Sequence, residues 1–183
     1  MINFRHKIMG RLGNNLFQWA YLYSQVKEGA ISNWYLQDER YFHPYQSEIK
    51  AMLQEGIGKI NKIAIHIRRG DYINNSFYVD LMATDYYQRA MKEFNGETFL
   101  VFSDDIEWCK KQEIFKECEF SERFNEEEDI NRMASCIGHI MSNSSFAWWG
   151  AWLSPHGGKV IAPQKWHSDG ISRTKLLDSW KVI

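Results

Sequence analysis

From residue 60 onward, the chain alternates short apolar segments with segments of helical periodicity. Apolar segments that predict strands lie at residues 63–67, 98–103, 139–142 and 159–162, with a weaker one at residues 117–121. Helical patterns lie between and after them, at residues 84–94, 105–114, 126–136, 146–153 and 174–180. Strands connected through helices are typical of a parallel sheet that is covered by helices on both faces. The sequence therefore predicts one α/β domain with a Rossmann-like parallel sheet.

The first 60 residues have less regular patterning. Residues 2–8 predict a short strand, and residues 10–15 predict a turn that contains two glycines. A helix is expected to follow through residue 28, with Asn14 as its N-cap and Gly29 as its C-terminal stop. Such a glycine turn lets backbone amides approach an anion, although a tight turn without a ligand has the same pattern. Residues 30–60 are interpreted as a connector with a short helix at residues 47–55.

Charge and cysteine content argue against several classes of protein. With 22 basic and 23 acidic residues, the chain has no general attraction to nucleic acid, and any basic site is local. No stretch approaches the length of a membrane span, and the N-terminus lacks the long apolar segment of a secretion signal. The three cysteines, which lack metal-ligand spacing, predict reduced thiols in a cytoplasmic protein. Peripheral attachment to a membrane stays open.

The apolar run at residues 63–67 ends in a dense group of polar residues, His66, Arg68, Arg69 and Asp71. Ligands of open α/β sheets bind beyond the carboxyl ends of the strands, so a site is expected here. Because side chains alternate along a strand, His66 and Arg68 should face one side and Arg69 the other. Two adjacent arginines favour a phosphate ligand, because the guanidinium fork matches phosphate oxygens. A surface Arg–Asp ion pair in a turn is the alternative.

Two further polar clusters follow predicted strands, Ser-Asp-Asp at residues 103–105 and Asn-Ser-Ser at residues 143–145. Arginines, hydroxyls and the amides at helix starts together bind a diphosphate, and carboxylates accept hydrogen bonds from ribose hydroxyls or a guanine edge. The three clusters therefore fit a nucleotide-sugar site. Two alternatives stay open, a metal held by Asp104 and Asp105, and a helix-capping role for Asp104.

Four segments carry a resemblance to a known family. They lie at residues 10–20, 66–72, 102–105 and 143–153, and residues 160–163 and 165–166 continue the match. They include His-Ile-Arg-Arg-Gly-Asp-Tyr and Asn-Ser-Ser-Phe-Ala-Trp-Trp-Gly. In this order they resemble the motifs of the α-1,2-fucosyltransferase family, glycosyltransferase family 11. The resemblance covers residues 1–28 and about 60–170 of the chain.

The resemblance implies transfer of L-fucose from GDP-β-L-fucose to the 2-hydroxyl of a galactoside glycan, with inversion and without a metal or another cofactor. It also implies the two-domain GT-B fold, in which the C-terminal half holds the donor. Arg68 and Arg69 match the arginines that neutralise the diphosphate leaving group, and Arg68 is also expected to act in catalysis. The residues at matched motif positions, or in the same strand-end clusters, form the expected donor site: Asn14, His66, Arg68, Arg69, Asp104, Asp105, Asn143, Ser144, Ser145 and Phe146.

The motifs do not identify the base that removes the acceptor proton. Direct displacement at the anomeric carbon requires a carboxylate or an imidazole within reach of the acceptor hydroxyl. Asp71 is the first candidate and His66 is the second. A structural role, in which Asp71 bonds Arg69 or backbone amides, is an equal alternative.

Members of the family are much longer between the glycine turn and the His-x-Arg-Arg-Gly-Asp segment. Residues 1–60 are therefore expected to form a reduced acceptor-side segment, and residues 61–183 a Rossmann-like donor domain. Two other functions stay open: binding of a GDP-sugar without transfer, alone or until a partner completes the cleft, and transfer with another GDP-sugar or a peptide acceptor. Trp34, Tyr35 and Tyr41 are expected to stack an acceptor sugar or to serve a homo-oligomer interface.

Overall fold

A computed structural model describes residues 12–28, 37–122, 125–171 and 173–183. Within these ranges it contains a sheet of six parallel strands, β1 (Ile60–Ile67), β2 (Phe99–Ser103), β3 (Glu119–Phe120), β4 (Cys136–Ile140), β5 (Val160–Ala162) and β6 (Lys181–Val182). Their order across the sheet is β3-β2-β1-β4-β5-β6. The predicted α/β, Rossmann-like fold is confirmed.

The strand order changes direction between β1 and β4. From β1 the chain proceeds outward to β2 and β3, and it then returns to place β4, β5 and β6 on the other side of β1. At such a switch point a crevice opens beyond the carboxyl ends of the two central strands. The residues that follow β1 and β4 therefore border a crevice.

Helices cover both faces of the sheet. They are α1 (Leu12–Glu28), α2 (Gln46–Leu53), α3 (Tyr86–Lys92), α4 (Ile106–Cys109), α5 (Glu126–Ala134) and α6 (Ser145–Trp152). The alternation of side chains along β1 separates the two layers. Ile65 and Ile67 pack in the cluster that contains Tyr87 of α3, whereas Ala64 packs in the cluster that contains Met133 of α5. None of the helices in the described ranges is long and apolar enough to cross a membrane.

The contact between α1 and α6 forms the centre of the largest hydrophobic cluster. The ring of Phe17 lies 4.5 Å from that of Trp148 and 5.0 Å from that of Trp149, measured between centroids, and all three side chains are fully buried. Gly13 permits the N-terminus of α1 to reach α6, because a β-carbon there would lie 2.6 Å from the backbone nitrogen of Phe146. The two helices therefore meet at their N-termini.

Several predicted boundaries are wrong. Helix α1 already begins at Leu12, so Asn14 lies in its first turn and is not the N-cap. Helix α5 ends at Ala134, because Cys136 begins β4, and the strand predicted at residues 139–142 therefore starts earlier. The helix predicted at residues 174–180 does not form. These residues are irregular, with a turn at residues 178–179, and lead into β6. The apolar side chains whose spacing suggested a helix, Leu177 among them, instead pack against the α1–α6 cluster.

The N-terminal ends of two other helices also differ from the predictions. Asp85 rather than Thr84 is the N-cap residue of α3. Asp105 rather than Asp104 caps α4, where its carboxylate accepts a hydrogen bond from the backbone nitrogen of Trp108 at 3.3 Å. The predicted strand at residues 2–8, the stop at Gly29, and the positions of Trp34 and Tyr35 lie outside the described residues.

Candidate active site

A cavity of about 620 Å³ opens at the carboxyl edge of the sheet. Its lining includes residues that follow each of the strands from β1 to β5, and its volume is typical of small-molecule sites, which range over ~300–1,000 Å³. Eight of the expected site residues line it: Asn14, His66, Arg68, Asp71, Asp104, Ser144, Ser145 and Phe146. Arg69, Asp105 and Asn143 do not line it.

Arg68 carries the positive charge at the centre of this cavity. Its side chain is 12% exposed, and Nη1 lies 2.8 Å from Oδ2 of Asp104. Its Nη2 also donates a hydrogen bond to Oδ1 of Asp71. Two carboxylates therefore hold the guanidinium in one orientation, which limits the reorganisation that an arriving ligand would require.

Arg69 faces the other way, as the alternation along β1 predicts. Its guanidinium carbon lies 3.4 Å from the ring centroid of Trp108, and Nε donates to Oδ2 of Asp105 at 3.1 Å. Arg69 lines a second cavity of about 450 Å³, whose lining also includes Arg68, Asn143 and most of the loop from Tyr72 to Met82. Arg68 thus borders both cavities, whereas Arg69 borders the second one and not the cavity that contains the N-termini of α1 and α6.

Asp104 couples the two arginines. Its Oδ1 accepts a hydrogen bond from the backbone nitrogen of Arg69 at 2.9 Å, while Oδ2 forms the ion pair with Arg68. A β-carbon at Gly70 would lie 2.5 Å from Asp104 Oδ2, so glycine lets the loop pass close to this carboxylate. Asp104 is therefore a positioning residue of the β1 loop rather than a helix cap.

His66 lies on the Arg68 side and is buried. Its Nδ1 lies 2.7 Å from the hydroxyl oxygen of Ser142, and its ring lies 5.5 Å from that of Phe146 between centroids. Burial lowers the pKa of His66 to about 3, with a further lowering by Arg68 against an opposite effect of Asp104. The imidazole is therefore neutral near pH 7 and a weak base.

The N-termini of α1 and α6 meet at the cavity. Ser144 is the N-cap of α6, and its hydroxyl accepts a hydrogen bond from the backbone nitrogen of Phe146 at 3.3 Å. Oδ1 of Asn14 accepts hydrogen bonds from the Ser145 hydroxyl at 2.8 Å and from Nε2 of Gln37 at 2.7 Å. Helix N-termini carry partial positive charge and favour anions. These two ends, together with Arg68, make this part of the cavity suited to a phosphate group.

Asn143 supports the site from behind. Its side-chain amide donates to the carbonyl oxygens of Val79 at 3.0 Å and Trp166 at 2.9 Å, and its own carbonyl accepts from the Tyr72 hydroxyl at 3.0 Å. These bonds connect the loops that follow β1, β4 and β5. Asn143 was expected to bind the donor. Its side-chain nitrogen instead donates to the two backbone carbonyls within the protein.

The structure adds residues that the sequence analysis did not select. An aromatic group borders the cavity on one side, and polar and acidic residues border it on the side of β3 and α5. The residues of each group are scattered along the sequence, so no motif identifies them in advance. The abundance of aromatic residues is only a general signal for sugar binding. The added lining residues include Gln37, Tyr72, Phe77, Tyr78, Glu122, Glu126, Asp129, Trp166, His167 and Arg173.

The alternative of a metal held by Asp104 and Asp105 finds no support in the geometry, since each carboxylate is engaged by an arginine. Among the residues that the structure describes, no group of three His, Cys, Asp or Glu side chains could hold a metal ion. Asp104 and Asp105 instead form a matched set of partners for Arg68 and Arg69.

Comparisons with known proteins identify a family. The sequence profile of glycosyl transferase family 11 matches residues 14–183. An α-1,2-colitosyltransferase of Escherichia coli is 39% identical over 155 residues, which cover 71% of this chain and 53% of the relative. The O-antigen biosynthesis glycosyltransferase WbnK of Escherichia coli is 36% identical over 138 residues, covering 66% and 44%.

A more distant relative is the galactoside 2-α-L-fucosyltransferase of Caenorhabditis elegans. It is 24% identical over 212 residues, which cover 91% of this chain and 57% of the relative. The chain thus spans about half the length of the curated relatives it matches.

Proposed function

The chain belongs to glycosyltransferase family 11, and we propose that it transfers L-fucose from GDP-β-L-fucose to the 2-hydroxyl of a galactoside, with inversion at the anomeric carbon. The names of two relatives, a colitosyltransferase and a fucosyltransferase, both specify transfer to a 2-position, which supports the linkage. L-Fucose is our choice of sugar because it is the one that the motifs of the family imply. GDP-fucose is a substrate here, and no resident cofactor is part of the proposal.

One observation carries the proposal: Arg68 and the N-termini of α1 and α6 face a single cavity at the switch point of the sheet. A diphosphate needs several positive groups at one place, and here the Arg68 guanidinium and two helix N-termini border the same cavity. The remaining cavity volume is available to a nucleoside and a sugar on either side of the diphosphate. Arg69, on the other side of β1, stabilises the loop and does not contact the donor in this proposal.

In the proposed reaction, the acceptor oxygen attacks the anomeric carbon of fucose while the bond from that carbon to the β-phosphate oxygen breaks. The electron pair of the broken bond stays on GDP, so negative charge grows on the diphosphate. Arg68 stabilises that charge, and its effect is larger in the transition state than in the bound donor. Because Asp104 and Asp71 already orient the guanidinium, little rearrangement is needed as the charge develops.

Asp71 is the proposed base for the acceptor proton. Its carboxylate lines the cavity and has a side chain that is 59% exposed, so an acceptor hydroxyl has access to it. His66 is less suited to this role, because burial lowers its pKa to about 3 and Ser142 occupies its Nδ1. Asp71 also holds Arg68, so the proposal gives one carboxylate both a positioning and a proton-accepting role.

We also propose that residues 61–183 correspond to the donor half of a GT-B arrangement and that residues 1–60 are a reduced acceptor-side segment. A second candidate function comes from the short segment at residues 30–60, where members of the family are expected to be much longer. In this alternative the chain binds GDP-fucose without transferring the sugar, or requires a partner chain to do so.

The test is to incubate the purified chain with GDP-fucose and lactose without added metal, and to analyse the products by mass spectrometry and NMR. Thermal unfolding with GDP, GDP-fucose and GDP-mannose is measured in parallel, because a ligand that binds the folded state raises its stability. A fucosyl-α-1,2-galactose product supports the transferase. A GDP-dependent rise in the unfolding temperature without product favours the binding-only alternative, and the absence of both results contradicts the proposal.

A further inference from the structure

One side of the cavity is formed by four ring side chains, Tyr72, Phe77, Tyr78 and His167, which we name the aromatic rim. The rings of Tyr72 and Tyr78 stack with centroids 3.6 Å apart and planes 6° apart. Phe77 contacts Tyr78 at 5.1 Å and His167 at 4.7 Å between centroids. All four side chains line the same cavity as Arg68. The rim is therefore a continuous ring surface within the candidate active site.

Backbone contacts hold the rim in place. Tyr78 and His167 form an antiparallel bridge between the loop after β1 and the loop after β5, and the backbone nitrogen of Ser168 donates to the carbonyl of Phe77 at 2.9 Å. The Tyr72 hydroxyl donates to the carbonyl of Asn143 at 3.0 Å. Because these bonds preorganise the surface, a ligand that stacks on it would require little ordering of the protein.

The outer part of the rim is accessible and offers hydrogen-bond donors. Phe77 is 42% exposed, which is unusual for so large an apolar side chain in a cluster. The guanidinium carbon of Arg173 lies 5.0 Å from the Phe77 ring centroid, and Asp169 accepts from its Nη2 at 2.7 Å. Burial lowers the pKa of His167, which favours the neutral form of its ring. A flat apolar ring beside a fixed donor is the combination that holds a sugar ring.

The position of the rim relative to Arg68 distinguishes the two sugars of the reaction. The Tyr72 ring centroid lies 5.6 Å from the Arg68 guanidinium carbon, the Tyr72 ring stacks on that of Tyr78, and the Tyr78 ring contacts that of Phe77. The transferred sugar is bonded directly to the diphosphate and must lie near Arg68. An acceptor glycan extends into solvent, so its subsite must lie at an open edge.

We propose that Phe77 and His167, at the outer end of the aromatic rim, form the subsite for the acceptor galactoside. This inference rests on the proposed function, and it specifies where the acceptor binds. The loops after β1 and β5, within residues 61–183, then supply an acceptor contact in addition to the acceptor-side segment at residues 1–60. The apolar face of galactose stacks on Phe77, and Arg173 donates to its hydroxyls.

The test is saturation-transfer NMR of lactose on the full chain in the presence of saturating GDP, with wild-type protein and the variants Phe77→Ala and Phe77→Leu. The leucine variant keeps an apolar side chain but removes the flat ring, and it guards against a loss of folding. We expect strong transfer to the galactose protons of lactose in wild type, and about a three- to tenfold weaker affinity in both variants, which corresponds to the loss of one ring stack. In turnover assays the KM for lactose should rise by the same factor, while the KM for GDP-fucose stays unchanged.

The matched control is Met52→Ala, which removes a large apolar side chain that is 45% exposed but lines neither cavity. This variant should bind lactose as wild type does. The inference is overturned if lactose receives no saturation from wild-type protein that still responds to GDP, or if the Phe77 variants bind lactose unchanged. The GDP-dependent thermal shift separates these failures from a failure of the donor site, since it does not involve Phe77.

Discussion

Arg68 and Arg69 are consecutive and chemically identical, yet they lie in different environments. Arg68 faces the cavity together with His66 and the N-terminus of α6, whereas Arg69 stacks on Trp108 on the opposite side of β1. Each has its own aspartate from the segment after β2, Asp104 for Arg68 and Asp105 for Arg69. The last residues of β1 and β2, Ile67 and Ser103, are paired in the sheet, so the two consecutive ion pairs that follow form side by side.

The difference between the two arginines shows how one short motif supplies both a residue of the candidate site and a residue that stabilises the fold. Alternation along the strand sends one guanidinium to the site and the other to the supporting layer. The two pairs are connected through the backbone, because Asp104, the partner of Arg68, also accepts a hydrogen bond from the backbone nitrogen of Arg69. We therefore expect substitutions of Arg68, Arg69 and Asp104 to have unequal effects on turnover and stability.

The largest effect is expected for Arg68→Ala. Turnover should fall by about 10²–10³-fold, because a charge that stabilises the departing diphosphate is removed. Initial rates with GDP-fucose and lactose measure the loss, and circular dichroism shows whether the fold is retained. The matched control is Arg89→Ala, since Arg89 pairs with Asp85 on the surface of α3. A folded Arg68→Ala variant with wild-type turnover would contradict the assigned role.

The next effect is expected for Asp104→Asn, which acts on both arginines. An asparagine keeps the acceptor for the Arg69 backbone but removes the charge that faces Arg68. Turnover should fall by about tenfold, and the free energy of unfolding by about 2 kcal/mol, because a largely buried guanidinium loses one partner. Urea titration measures the stability, and Asp85→Asn is the control for an exposed ion pair. Equal stability of the Asp104 and Asp85 variants would argue against the coupling.

The Arg68 side also differs in its response to pH. The pKa of His66 is about 3 in the folded protein and near 6.5 when the chain is unfolded, so the unfolded state binds the proton first as pH falls. The stability contribution of neutral His66 is therefore complete above pH 6.5 and is progressively lost toward pH 3. His139, whose pKa is lowered to about 4 by burial, acts in the same direction.

Urea midpoints between pH 7 and 5, above the main titration of carboxylates, measure this dependence. The free energy of unfolding should decrease as pH falls, by at most about 1.4 kcal/mol per pH unit for each histidine. His66→Gln should reduce the slope in this window while the contribution of His139 persists. A slope that is unchanged in the variant would show that His66 titrates normally in the folded chain.

The smallest effect is expected for Arg69→Ala. The stack on Trp108 and the partly exposed pair with Asp105 together contribute about 1 kcal/mol to the free energy of unfolding. Turnover should stay within about threefold of wild type, because the backbone contact to Asp104 is retained. Steady-state kinetics beside a urea titration provide both values. A hundredfold loss of turnover would place Arg69 on the donor and remove the distinction from Arg68.

Strand periodicity explains which parts of the fold could be predicted. The isoleucine-rich run of β1 and the strands that follow it have the length and apolar character of buried strands, so the sheet and its polar edge follow from the sequence. The end of the chain was misread, because Leu177 and its apolar neighbours have helical spacing but pack from an irregular segment. Local spacing cannot distinguish these cases, since tertiary packing decides between them.

The sequence predicted the location of the candidate site at the carboxyl edge of the sheet. It did not predict which side chains pair with each other there. Alternation gave the opposite orientations of Arg68 and Arg69. The pairing of each arginine with one aspartate depends on the register of β1 and β2, which the sequence of either strand does not contain. The aromatic rim was missed for a similar reason, because Tyr78 and His167 are brought together only when two distant loops form a bridge.

The meeting of α1 and α6 has a consequence for how the chain is made. The hydrogen bond from Ser145 to Asn14 joins residues 131 positions apart. At synthesis rates of about 5–20 residues per second, α1 leaves the ribosome roughly 7–26 seconds before its partner is available. During that interval Phe17 and its apolar neighbours on α1 have no α6 to pack against. The end of the cavity where α1 and α6 meet is thus completed late in synthesis, and a chaperone that covers α1 would act in that interval.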